Sequence, residues 1–485
     1  MSTNEHTASL GRAHVTLAGV LAQSLGFMGP VFSVAALLPL IVGLSATGRG
    51  AGVATPVAIL IAGVGIFGAG WIIAQYAKRI HLCGSVYEYV CDGAGPRTGV
   101  VMGWLYYGAM LVLSSATLLV IGGLTSDFLA SALSVSIPWW VLSLVYLVGV
   151  VALLVVGVQI SILAQLALVL VSAAAVLGFS IWIILRGGAG GDSLSLEPFN
   201  PRAVGGLGLL YGILYGINMF IGFESAANLA EETENPKRDV PRAVVYSLLI
   251  VGVYFLVVSY SQAVGFGLDA VAWKESGFPL QALASGEEFG SAWFGNIMAV
   301  IVILDILAVC IGVGVAVSRG MMSMARSGRL PLALSAVHPK FRTPIGAIGL
   351  YAAFSFVSIV LVVITDGIFS RGTGIPGVLQ PQWAPAFGWM AGFGGTGLAV
   401  MYMAVSLAGL RGLWNEVNRV KLVIAALAGV LVSLGAVFGA VYKAPSPLNT
   451  VPWALGVWLL LGLVWSYVAL NRAPAVETAD ILSAP

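Results

Sequence analysis

The chain has 485 residues, 59% hydrophobic and only 9% charged, whereas an ordinary soluble domain carries about 25% charged residues. Such a surface cannot be solvated by water, so a globular soluble protein is excluded and a lipid bilayer is the expected solvent. The net charge of +2 comes from basic residues scattered along the chain, which excludes the basic stripe of a nucleic-acid-binding face.

Crossing a hydrocarbon core of ~30 Å takes about 20 apolar residues in a helix. Runs of that length predict an all-α integral membrane protein with twelve spans, at about 15–44, 53–77, 98–126, 137–156, 160–185, 204–230, 243–266, 291–317, 345–365, 386–410, 420–441 and 451–470. The polar residues 1–14 offer no cleavable apolar leader and are expected to form a cytoplasmic tail. With the N-terminus inside, 16 of the 22 Lys and Arg residues fall in inner segments and 6 in outer ones. That bias puts both termini in the cytoplasm and the protein in the cell membrane.

The second span contains Gly63-Val64-Gly65-Ile66-Phe67-Gly68, with Glu88 twenty residues beyond the last glycine, a spacing that mimics a dinucleotide fingerprint. A fingerprint needs a strand before it and water beyond it. Inside an apolar span the small residues point instead to close helix packing. Cys83, Cys91 and Cys310 lack metal or redox spacing, and His6, His14, His81 and His338 all lie outside the spans. No metal, no cofactor and no catalytic constellation is therefore expected, and with no Walker A sequence the protein is expected to be neither an enzyme nor an ATP-driven pump.

Two spans carry helix breakers in corresponding places. The first contains Gly26-Phe27-Met28-Gly29-Pro30 and the sixth Phe220-Ile221-Gly222-Phe223-Glu224. A pair of interrupted spans five apart is the mark of an inverted-repeat transporter. It predicts a first five-helix repeat at 15–185, a second at 204–410, two additional helices at 411–470 and a cytoplasmic tail at 471–485. Broken helices expose N–H groups that suit a carboxylate and carbonyls that suit an ammonium, and a zwitterionic amino acid matches both.

The stretch from Gly222 to Ala243, which includes Glu231-Glu232-Thr233-Glu234-Asn235-Pro236, resembles the segment following the sixth helix of the amino acid-polyamine-organocation superfamily. Ser318-Arg319 through Pro331, together with Val337 to Pro344, is similar to its loop between helices eight and nine. Gly84 to Tyr89 with Gly95 and Gly99 resembles its first cytoplasmic loop, and Gly394-Gly395-Thr396 its tenth helix. The resemblance implies a 5+5 inverted-repeat fold, alternating access, and substrate held at broken helices one and six. It places the substrate carboxylate on backbone donors around Met28 and Gly29, and the amino group on carbonyls near Ser24 and Leu25 and from Phe220 to Ile221. Gly26, Phe27 and Gly222 complete the broken segments, and Asn218, Tyr107 and Val313 are the expected selectivity neighbours. The chain departs from familiar members in three places: Gly29-Pro30 stands where a Gly-x-Gly is common, Ser172 lies seven positions after Gln165 in a helix where several relatives carry a lysine, and Asn218 occupies a position that is aromatic in some exchangers.

Only two acids fall at membrane depth, where an ionisable group costs at least about 2.5–3.5 kcal/mol to insert. Glu224 is expected to couple or gate transport, against a structural tie at the helix break. Asp305 has two open roles, proton coupling or ammonium attraction, and a polar cap facing the outer vestibule. Lys78, Arg79, Glu88 and Asp92 are expected in a solvated loop, and the charged run from Glu231 to Arg242 as a connector between helices six and seven or as topology-setting charge. The expected function is proton-coupled uptake of an amino acid. An amine or polyamine carrier, an amino acid exchanger and a non-transporting sensor are the alternatives. The expected partners are this small-molecule substrate, the proton and the bilayer, with no nucleic acid.

Overall fold

A computed structural model describes residues 15–43, 50–365, 383–442 and 447–472. Among the described residues, twelve helices are long and apolar enough to cross a membrane: α1 (Leu17–Val42), α2 (Gly52–Ala77), α3 (Pro96–Leu133), α4 (Trp139–Val156), α5 (Ile160–Leu185), α6 (Gly206–Glu232), α7 (Pro236–Gly265), α8 (Ala292–Arg326), α9 (Ile345–Ile364), α10 (Trp383–Gly412), α11 (Arg419–Val441) and α12 (Leu448–Asn471). Among those residues there is no strand, only an isolated bridge between Val15 and Thr233. Most of both expected tails, 1–14 and 473–485, lies outside the described residues.

The observed helices match the expected spans in number and order, with two informative differences in length. Helix α3 continues to Leu133 and α8 to Arg326, beyond the expected ends at 126 and 317. A hydropathy reading stops at polar residues such as Asp127 and Arg319. A helix does not, because its backbone hydrogen bonds are local and a polar side chain needs only a partner. Both α3 and α7 open on a proline, Pro96 and Pro236, where the missing N–H would have had no helical acceptor. Among the described residues, three short α-helices that hydropathy does not reveal lie outside the spans, at Val86–Ala94, Ala270–Glu275 and Pro279–Ser285.

Burial divides the bundle into centre and periphery. The most apolar windows of α1, α3, α8 and α10 are 83%, 83%, 78% and 72% buried, against 28% for α4 and 22% for α12. The outer helices present Val148, Leu163, Val464 and similar side chains outward, as lipid contact requires. The glycine series in α2 is a packing seam. A Cβ on Gly65 would come within 2.4 Å of Val432, and one on Gly68 within 2.5 Å of the Ala425 carbonyl, both on α11. That contact leaves no room for a nucleotide.

Candidate functional site

Helix α1 breaks at Gly29, whose φ of 53° and ψ of 74° lie in the left-handed region that glycine enters without steric cost. Its first half ends at Met28, and the second restarts at Pro30 and passes through a π-helical turn at Ser33–Leu37. The backbone donors at the break can be followed one by one. Gly29 N–H bonds Leu25 O at 3.1 Å, Ser33 N–H bonds Gly29 O at 2.8 Å, and Pro30 has no N–H to give. Val31 N–H and Phe32 N–H donate to the same carboxylate oxygen, Oδ2 of Asp305 on α8, at 3.1 and 2.8 Å. Ser172 Oγ on α5 donates to the other oxygen, Oδ1, at 2.8 Å. Asp305 is fully buried and acts as an N-terminal cap supplied across 274 residues of sequence.

Helix α6 breaks at Gly222, with φ 113°, and a Cβ there would strike the Phe27 ring at 2.7 Å. An α-helical first half, Gly206–Met219, gives way to a 3-10 second half, Phe223–Glu232. Glu224 closes this break. Gly222 N–H donates to its Oε2 at 3.2 Å, Tyr402 Oη to the same oxygen at 2.9 Å, and Tyr106 Oη to Oε1 at 3.0 Å. The breaks are joined directly, since Ser24 Oγ donates to Phe223 O at 2.8 Å and accepts from Ala226 N–H at 3.2 Å. Among the described residues neither Glu224 nor Asp305 takes part in a salt bridge.

A cavity of about 50 Å³ lies between the breaks, lined by Phe27, Met28, Phe32 and Ser33 of α1, Thr117 of α3, Asn218 and Ile221 of α6, Val309 and Val313 of α8, and Phe387 of α10, among others. Of the expected site residues, Phe27, Met28, Asn218, Ile221 and Val313 face it. Ser24, Gly29, Gly222 and Glu224 shape the breaks around it. Gly26 instead packs on Gln165 of α5, where a Cβ would fall 2.1 Å from the side chain. Leu25 supplies the carbonyl that Gly29 bonds, and Phe220 turns its ring toward Phe255. Tyr107 Oη donates to Gly84 O at 2.9 Å, away from the cavity lining. Its neighbour Tyr106 is the tyrosine that reaches a break.

A second cavity of about 180 Å³ is lined by Ala35, Leu124, Asp127, Gln281, Val302 and Ile303, among others. Leu124 lies seven residues beyond Thr117 on α3 and Val302 seven before Val309 on α8. The two cavities are thus stacked along the same helices, about 10 Å apart. Among the described residues, no basic side chain lines either one.

The opposite end of the bundle is closed by charge. Arg319 of α8 pairs with Glu232 at the end of α6, both nearly fully buried, and Arg326 pairs with Glu231 at 3.1 Å. Val15 N–H bonds Glu232 O, and Glu234 N–H bonds Val15 O, at 3.0 and 3.1 Å. The charged run after α6 therefore ties α6 to α8 and to the start of α1, beyond the connection to α7 expected for it. Cys83 N–H donates to Glu231 Oε1 at 3.0 Å, so the segment before the short helix Val86–Ala94 belongs to the same closure. Glu88, expected in a solvated loop, packs beneath Ser323, and burial pushes its carboxyl up to about 7.

The chain is 25% identical over 328 residues to the branched-chain amino acid permease BcaP of Bacillus subtilis, covering 64% of this chain and 68% of that one. It is 27% identical over 318 residues to the low-affinity putrescine importer PlaP of Escherichia coli, covering 61% and 66%. It is 27% identical over 311 residues to the methylthioribose transporter of Bacillus subtilis, covering 61% and 64%. The matched region thus spans about two thirds of each of these relatives. The amino acid permease family model matches residues 25–378, which takes in both helix breaks, the α1, α3, α6 and α8 walls of the cavity between them and the Arg319–Glu232 closure, and the chain belongs to that family.

Proposed function

We propose that this protein is a secondary active transporter that carries a small solute bearing an amino group, an amino acid or an amine, across the cell membrane. It alternates access around the α1 and α6 breaks and is driven by protons. The observation that carries this reading is the meeting of two broken helices at one buried cavity, with a carboxylate on each break. The relatives' substrates, branched-chain amino acids, putrescine and methylthioribose, are chemically diverse, and the first two share an amino group. On this reading α1 to α5 and α6 to α10 are the two repeats, and the Arg319 end is cytoplasmic and closed in this conformation. Glu224 and Asp305 are buried, hydrogen-bonded and not ion-paired, the condition in which a carboxylate can take up and release a proton as its surroundings change.

The test is solute uptake into liposomes containing the purified protein, driven by an imposed pH gradient and, separately, by a sodium gradient. Saturable uptake that follows the pH gradient supports the reading. Glu224→Gln and Asp305→Asn, at normal protein levels, should each lose pH-driven accumulation while exchange of internal for external solute continues. Persistence of pH-driven uptake in both variants would overturn the coupling role, and uptake that never saturates would point to a channel.

A further inference from the structure

The arrangement at α1 narrows the substrate class. It rests on the transporter reading above and deepens it. A substrate carboxylate at a broken helix is held by backbone N–H groups freed at the start of the second half. Here every donor from Gly29 to Ser33 is already committed: Gly29 and Ser33 to backbone carbonyls, Val31 and Phe32 to Asp305, with Pro30 contributing none. The donor of Gly222 at the other break is taken by Glu224. We propose that Asp305 is a resident substitute for the substrate carboxylate, and that this protein selects an amine with an apolar body and no carboxylate over the corresponding amino acid.

Three further observations favour the same chemistry. Asp305 is anchored from a second side by Ser172 and is completely buried, so it is a built part of the α1 break and not a surface group that has folded inward. Among the described residues, no Lys, Arg or His lines the central cavity or the one stacked on it, while the latter carries an acid, Asp127. Among the described residues, a carboxylate-bearing solute in that stacked cavity meets the acid Asp127 and no basic side chain, whereas an ammonium is attracted there. The central lining is apolar apart from Ser33, Thr117 and Asn218. Those three groups can accept from one ammonium, and they supply no cationic partner for a carboxylate. A carboxylate placed there would be buried without charge-matched donors, a mismatch on which polar sites discriminate strongly.

Decarboxylation pairs isolate the one group in question: leucine against 3-methylbutylamine, phenylalanine against phenethylamine, and ornithine against putrescine. Binding of each to the purified full-length protein in nanodiscs is measured by calorimetry, and uptake by the liposome assay. The expected result is that the amine of at least one apolar pair binds about tenfold or more tighter than its amino acid. Asp305→Ala, which frees the Val31 and Phe32 N–H groups, should narrow or reverse that preference, and acetate added with the amine should restore part of the loss. If that variant fails to fold, Ser172→Ala, which removes one anchor of Asp305, should narrow the preference in the same direction. Tighter binding of the amino acid in each apolar pair to the wild type would overturn the inference and leave the transporter reading intact. No binding and no saturable uptake of any member would sink both.

Discussion

Asp305 shows how a single side chain can fix a helix break. Replacing it with alanine leaves two buried N–H groups without an acceptor, at about 1–3 kcal/mol each. Asparagine retains an acceptor and should be tolerated better. Thermal unfolding in detergent should therefore rank wild type, Asp305→Asn, Asp305→Ala. An equal loss in the two variants would mean that charge, and not the capping geometry, holds the break. Gly222→Ala combines a left-handed backbone with a Cβ driven into Phe27 and should reduce folded yield more than Gly149→Ala, a site with open space around it. Glu88 makes a pH-dependent prediction. Because burial raises its carboxyl above the ordinary 4.5 to about 7, the folded state holds its proton more tightly than the unfolded chain does. Its contribution to stability is therefore greatest below about 4.5 and declines as pH rises through 7. Glu88→Gln should raise the melting temperature at pH 8 relative to wild type and make little difference at pH 4.

At the scale of elements, both breaks were legible because each has a local cause, Gly29-Pro30 in α1 and Gly222 in α6. Their closures were not, since the carboxylate and its partners are far apart in sequence: 274 residues from Val31 to Asp305, and 118 and 178 from Glu224 to Tyr106 and Tyr402. Helical rotation explains why Tyr107 and Tyr106 have different surroundings, because adjacent residues differ by about 100° around the axis. One of the pair turns to Gly84 while the other meets Glu224. The α2 glycines were legible as packing residues, but their partner helix was not. Gly68→Leu should force α2 away from α11 against the Ala425 backbone, at a cost of about 1–3 kcal/mol. A larger residue at Gly435, which faces open space on α11, should leave melting unchanged.

For the whole molecule, composition and apolar run length were enough for twelve helices, while the closure at the Arg319 end depends on charges from α6 and α8 that only the fold brings together. Removing one partner of the buried Arg319–Glu232 pair strands the other, at about 3–5 kcal/mol in the closed conformation. Arg319→Gln should therefore shift the protein toward its other conformation, seen as faster labelling of a cysteine placed at Ser85 from the side of the membrane that the Arg319 end faces. Unchanged labelling would show that packing alone keeps this end shut.

The backbone bridge between Val15 and Thr233 has a mechanical consequence. Two hydrogen bonds fasten the start of α1 to the end of α6, and Ser24 ties the same two half-helices again near the breaks. Doubly fastened, the first half of α1 and the second half of α6 are expected to move as one lever, with Gly29 and Gly222 as its pivots. A covalent staple between Val15→Cys and Thr233→Cys should leave turnover intact, because it joins parts that are already hydrogen-bonded to each other. A staple from that lever to α8, across the Arg319–Glu232 contact, should stop transport with the Arg319 end closed.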